Sequence, residues 1–249
     1  MDLDFSILAT WDGLVYLIIL SLLEIVLGID NIIFISIVTD KLKAEQKRKA
    51  RNIGLMLALV VRLFLLSVVA WIMGMTKPLF EVMGHEISGQ SIVLLLGGLF
   101  LIYKSTVEMH NSVKGHEDVH APKGGGISAV IGQIVMIDIV FSFDSIISAI
   151  GMTNGMAKET GGDPMVIIYA AVIISMIVML SFAKQISDFI NSRPTIKMIA
   201  LGFLVTIGVI LVAEAFHQHI PKGYIYFAMV YALVVEFLNI RMRKNKGLD

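Results

Sequence analysis

Four acids lie inside apolar segments of this chain, and they lie there in a repeated pattern. Residues 21–39 read SLLEIVLGIDNIIFISIVT, and residues 135–153 read VMIDIVFSFDSIISAIGMT. Superposed, Glu24 falls on Asp138, Asp30 on Asp144, Asn31 on Ser145 and Thr39 on Thr153. A carboxylate inside a bilayer is costly, so the same pair of acids placed twice points to a function. Glu24, Asp30, Asn31, Asp138, Asp144 and Ser145 form an all-oxygen ligand set. Oxygen ligands suit magnesium, calcium or manganese rather than copper or zinc. The same carboxylates can exchange protons for such a cation.

Two geometries satisfy this spacing. Residues six apart on a straight helix are about 9 Å apart along the axis and about 120° apart around it. In one geometry Glu24 and Asp138 pair near the midplane, with Asp30 and Asp144 to either side as a ladder of carboxylates. In the other, which the glycine favours, the helices break near Gly28 and near Ser142 and all four acids converge. A purely structural reading leaves the acids neutral or paired with Arg62, holding helices together. Arg62 lies well inside an apolar run and reads as the counter-ion of one carboxylate.

Other polar residues carry weaker signals. Glu108 follows Lys104 by four positions, a spacing that allows a pair on one helix face. Glu214 and Glu236 sit near the ends of apolar runs; Glu214 reads as solvated and Glu236 as a candidate gate. His110, His116, Glu117, Asp118 and His120 fit no recurrent metal spacing and read as a solvated linker. The 15 Met are scattered through apolar runs as packing residues.

Composition supplies the setting. Hydrophobic residues make up 57% of the 249 residues and charged residues 16%, and the mean hydropathy is +0.83. Such a chain is a polytopic membrane protein. It has no Cys, which excludes disulfides, thiolate metal sites and thiol catalysis. The acidic start, MDLDFS, lacks a basic leader region, so the first span is expected to remain in the mature protein.

Apolar runs of bilayer length fall near 12–39, 53–75, 91–110, 127–152, 165–183, 196–216 and 223–240. They predict seven transmembrane helices, the first longer than needed and therefore tilted or broken. Sixteen of the twenty Lys and Arg lie in the 40–51 loop, near 104–123, near 184–197 and in the 241–246 tail. The positive-inside rule then puts the N-terminus outside and the C-terminus in the cytoplasm. The two acid-bearing segments run in opposite directions in that topology. The chain therefore reads as one transmembrane domain, 1–249, of two inverted three-helix repeats plus a C-terminal helix. Repeat one covers about 11–110, a polar linker 111–126, repeat two about 127–216 and the seventh helix 223–240. Gly98-Leu99-Phe100-Leu101 resembles Gly202-Phe203-Leu204-Val205, whereas Arg62 has no counterpart in the second half. Inverted repeats with a site at their interface are a transporter architecture.

The stretches EIVLGIDNIIFISI (24–37), QIVMIDIVFSFDSIISAIGMT (133–153), RPTIKMIALGFLVTIGV (193–209) and PKGYIYFAMVYALVVEFLNIR (221–241) together resemble the TerC family of integral membrane proteins. That family is named for tellurium resistance, is associated with manganese export and is grouped with LysE-type exporters built from inverted three-helix repeats. The resemblance implies that Glu24, Asp30, Asn31, Asp138, Asp144 and Ser145 match the family's acidic motifs. It adds Glu236 and Asn239, in the final block, as residues to test. It also implies the membrane core alone, without the soluble domains that some relatives carry.

The expected function is that of a secondary transporter exporting a divalent cation, manganese before calcium or magnesium, in exchange for protons. No P-loop pattern is present, and no organic cofactor, enzyme activity or nucleic-acid role is expected. The alternatives are a non-transporting membrane assembly or metallation factor and, remotely, an intramembrane aspartyl protease. Leu27-Gly28-Ile29-Asp30 lacks the second glycine of that protease class. Expected partners are the lipid bilayer, the metal ion, a second copy of the chain, or other membrane and secreted proteins. The expected location is a bacterial plasma (inner) membrane, with a thylakoid membrane as the other setting.

Overall fold

Helix-forming residues flank most of the apolar runs, and the helices extend into them. In a computed structural model of the chain, residues 7–8, 10–68, 72, 76–82, 85–114, 126–160, 164–218 and 220–246 are described. They form helices α1 (Trp11–Asp40), α2 (Ala44–Ser67), α3 (Gly89–Lys114), α4 (Ile127–Thr160), α5 (Pro164–Asn191), α6 (Pro194–Ala215) and α7 (Lys222–Asn245). All seven are long and apolar enough to cross a membrane.

Their ends follow local chemistry. Thr10 caps α1, its Oγ1 accepting from the Gly13 amide at 3.1 Å. Ser88 Oγ accepts from the Ser91 amide at 3.1 Å at the start of α3. Pro164 opens α5 and Pro194 opens α6, where a missing N–H costs nothing. At the end of α6, His217 takes φ 60°. The Gln218 amide returns to the Ala213 carbonyl and the His217 amide to that of Glu214, a Schellman closure with histidine in the place usually given to glycine.

Three sequence expectations are corrected. The basic 40–51 segment is not a loop throughout: α2 starts at Ala44, because Glu45, Gln46, Lys47, Arg48 and Lys49 are good helix formers. Lys47 pairs with Asp40 at 2.6 Å, and Arg51 is buried. At its other end α2 stops at Ser67 instead of running to 75; residues 69–71 and 73–75 lie outside the described residues. The linker begins late, since α3 keeps residues 111–114. His116, Glu117, Asp118 and His120 lie outside the described residues. A hairpin also appears that the apolar runs did not announce. Its strands β1 (Pro78–Val82) and β2 (His85–Ser88) are antiparallel, pairing Phe80 with Ile87.

The expected helix breaks are absent. Helix α1 is continuous through Gly28 and α4 is continuous through Ser142. Gly28 is glycine for another reason. A Cβ there would collide with the Met179 sulfur of α5, so the missing side chain is a packing site for a neighbour.

The chain divides into two compact units, Met1–Lys77 with Ala121–Ile186, and Pro78–His120 with Ser187–Asp249. The first holds α1, α2, α4 and most of α5. The second holds the hairpin, α3, α6 and α7. The first two helices of each sequence half thus share one unit, and the third helices share the other.

Within the first unit α4 packs on both α1 and α2. Asp30 through Thr39 are buried without interruption, so this last third of α1 is enclosed on every face. Within the second unit α3 and α6 touch backbone to backbone. A Cβ on Gly98 would lie 2.7 Å from the Gly208 carbonyl oxygen, and one on Gly208 would lie 2.9 Å from that of Gly98. Small residues allow this approach where lipid offers no hydrophobic drive for association. Helix α7 is different: Glu236 is its one buried residue.

Candidate functional site

The two repeat-related segments meet through one arginine. Arg62, on α2, donates through Nη1 to Glu24 Oε2 of α1 at 2.8 Å. It donates through Nη2 to Asp138 Oδ1 of α4 at 3.2 Å. Its Nε–H goes to Ser142 Oγ at 3.1 Å. The rigid guanidinium fork carries enough donors to serve all three at once. Arg62 and Glu24 are each 2% exposed and Asp138 is 4% exposed. Three charges are therefore held together away from solvent.

Asp138 is the hub. Its Oδ1 also accepts from Asn31 Nδ2 at 3.1 Å, and its Oδ2 accepts from Ser142 Oγ at 3.3 Å. Helix geometry explains the membership. Seven residues bring an α-helix back to within about 20° of the same face, so Glu24 and Asn31 share one face of α1. Ser142 follows Asp138 by four positions and stands above it on α4. Because Asn31 gives its N–H to an acceptor-only carboxylate, its Oδ1 must point elsewhere. That oxygen is buried and has no hydrogen-bond partner among the described residues.

The repeat is only partly symmetric here. Thr39 and Thr153 behave alike, each returning its hydroxyl to the carbonyl four residues earlier, Ile35 at 2.7 Å and Ala149 at 2.9 Å. Asn31 and Ser145 do not: Ser145 Oγ turns to its own helix, the Ser142 carbonyl, at 3.4 Å.

The convergence of four acids is not what the chain adopts. With both helices unbroken, Asp30 and Asp144 each lie about 9 Å further along their helices than Glu24 and Asp138. Asp30 is buried and Asp144 half-buried. Among the described residues no three of His, Cys, Asp or Glu form a group able to hold a metal ion. The central pair is joined by a guanidinium, and the acids at either side stay on their own turns.

The lower-ranked candidates fall in the second unit. Glu108 is buried, with Lys197 Nζ 3.8 Å away on α6; Lys104 lies over the Phe100 ring at 6.0 Å. Glu236 accepts from Thr195 Oγ1 at 2.5 Å and, at a long 3.5 Å, from Asn239 Nδ2. Glu214 is not solvated as expected: its side chain is 10% exposed and lies 3.9 Å from Lys222 Nζ. Ser142 and Thr195 were not among the sequence candidates. The four-residue step from Asp138 could have found Ser142; nothing in the sequence marks Thr195 as the partner of Glu236.

A family profile described as "Integral membrane protein TerC family" matches residues 9–247. The chain belongs to the TerC family. The family match and the seven helices make it an integral membrane protein. An Escherichia coli (strain K12) protein named UPF0053 inner membrane protein YgdQ is 47% identical over 227 residues, 91% of this chain and 92% of the relative. A UPF0053 protein of Haemophilus influenzae is 45% identical over 243 residues, 96% of this chain and 98% of the relative. The longer E. coli inner membrane protein YoaE is 44% identical over 237 residues, 94% of this chain but 43% of that relative. No solved structure matches.

Proposed function

We propose that this TerC family member is a secondary transporter that exports a divalent metal cation, manganese first among the candidates, across a bacterial inner membrane. The observation that carries the reading is the Arg62 bridge between Glu24 and Asp138, which are equivalent positions of a repeated segment. A buried ion pair is a poor device for stability alone, since its desolvation cost rivals its attraction. In a membrane, buried charges facing one another mark an ion path. The oxygens gathered there, from two carboxylates, the Asn31 amide and the Ser142 hydroxyl, are hard donors suited to manganese, magnesium or calcium. Asp30 and Asp144 extend the path along α1 and α4. Protons are the exchanged ion in this reading, and no enzymatic step is assigned.

The test is flux in liposomes carrying the full-length protein and a manganese-sensitive dye, with Asp30→Asn and Asp144→Asn as comparisons. Flux in the wild type that is lost in both variants, and that responds to an imposed pH gradient, is the expected result. A folded wild type that moves neither manganese nor calcium would leave the membrane assembly or metallation role as the better account.

A further inference from the structure

In the proposed site, the space between the two carboxylates is already filled by a cation, and that cation belongs to the protein. The Arg62 guanidinium reaches Glu24 at 2.8 Å and Asp138 at 3.2 Å, so a metal ligated by both acids needs the position Arg62 holds. We propose that Arg62 is a tethered competitor of the transported ion: it fills the centre when the ion leaves and must swing out for the ion to bind. This inference rests on the transport reading above and says how the site is emptied and reset.

Three observations support it. First, the charges are enclosed. Glu24 is 2% and Asp138 4% exposed, and two bare carboxylates at that depth are strongly disfavoured. A transporter that releases its ion here must neutralise both acids before it can return; Arg62 offsets one charge and an exchanged proton offsets the other. Second, the fit of Arg62 is spread over three partners on two helices, Glu24, Asp138 and Ser142, so no single carboxylate holds it as a fixed two-pronged pair. Third, Asn31 Oδ1 is buried and has no hydrogen-bond partner among the described residues, while its amide nitrogen is committed to Asp138. Arg62, though rich in donors, does not serve that oxygen. It is a ligand position left open beside a centre that the arginine otherwise fills.

The physical consequence is a division of labour that a structural strut would not give. Arg62 weakens ion binding, because its bonds to charged groups must be given up on loading. It speeds release and return, because those bonds form again as the ion leaves. Removing it should therefore trap the ion. Exchange of one metal ion for another needs no empty state, whereas net export does.

The experiment compares wild type with Arg62→Met, reconstituted full-length, using manganese-54. Manganese binding in the variant is expected to tighten at least about tenfold, the value of one hydrogen bond to a charged group. Manganese–manganese exchange should survive while net export falls on the order of tenfold. If binding does not tighten and exchange falls together with net export, Arg62 is a strut and the inference is overturned, with the transport reading intact. If wild type shows neither exchange nor net export, the transport reading fails first and takes the inference with it. Should Arg62→Met not fold, Arg62→Ala purified with guanidinium chloride keeps the question open to test. Millimolar guanidinium is expected to restore net export and to compete with manganese. Arg62→Lys, which retains a tethered cation, is the third variant and is expected to hold manganese affinity near wild type; tightening in it as large as in Arg62→Met would count against a tethered competitor.

Discussion

Asn31 and Asp138 share a hydrogen bond of 3.1 Å between α1 and α4, and it ends on the same Oδ1 that receives Arg62. The amide thereby fixes the carboxylate that the guanidinium must find. Asn31→Leu removes that donor and the open acceptor beside it. The expected cost is about 1–3 kcal/mol of stability, together with loss of manganese flux. Thermal unfolding in detergent and dye flux in liposomes measure the two effects separately. Full flux in the variant would remove Asn31 from the ion path.

The three charged residues of the centre should rank in a definite order. Arg62→Met strands two buried carboxylates and should destabilise most, by about 3–5 kcal/mol. Asp138→Asn disturbs bonds to Arg62, Asn31 and Ser142 and should come next. Glu24→Gln leaves Arg62 with Asp138 and should cost least. Unfolding midpoints of the three variants test the order. A double substitution, Arg62→Met with Glu24→Gln, should recover part of the single-variant loss, since it strands fewer charges.

Gly98 and Gly202 should respond in opposite directions. A methyl on Gly98 meets the Gly208 backbone carbonyl, which cannot move aside, whereas one on Gly202 meets nothing within 4 Å. Gly98→Ala should destabilise by about 1–3 kcal/mol. Gly202→Ala should stabilise by up to about 1 kcal/mol through helix propensity. Equal shifts in unfolding temperature would contradict the close approach of α3 and α6.

Thr195→Val removes the donor to Glu236 Oε1. The buried carboxyl loses its closest partner, at an expected cost of about 1–3 kcal/mol. Thr195→Ser keeps the hydroxyl and should stay near wild type. Unfolding of both variants in detergent decides the point.

The central contacts could be read in large part from residue spacing. The repeated acids and the isolated Arg62 named the three charges, because a charge in an apolar run has few explanations. Apolar length marked the helices but not their ends, since Glu45–Lys49 or Arg241–Lys244 prolong a helix without adding hydropathy. Gly28 misleads for a different reason. A glycine permits a break or a close approach, and only the neighbour decides which. Met179 decides it at Gly28. Gly98 aligns in sequence with Gly202 yet packs on Gly208, a choice set by how two helices cross. Ser142 stands over Asp138 by a four-residue step, which the six-residue spacing of the acids does not mark.

Helix α7 has none of its apolar window buried by protein, and Glu236 alone is enclosed. Its apolar surface is one that lipid can solvate as well as protein does. The two stages of membrane folding, insertion and docking, are therefore separable for this element. Helix α7 can insert on its own account, and a carboxyl group then gives it an address on α6.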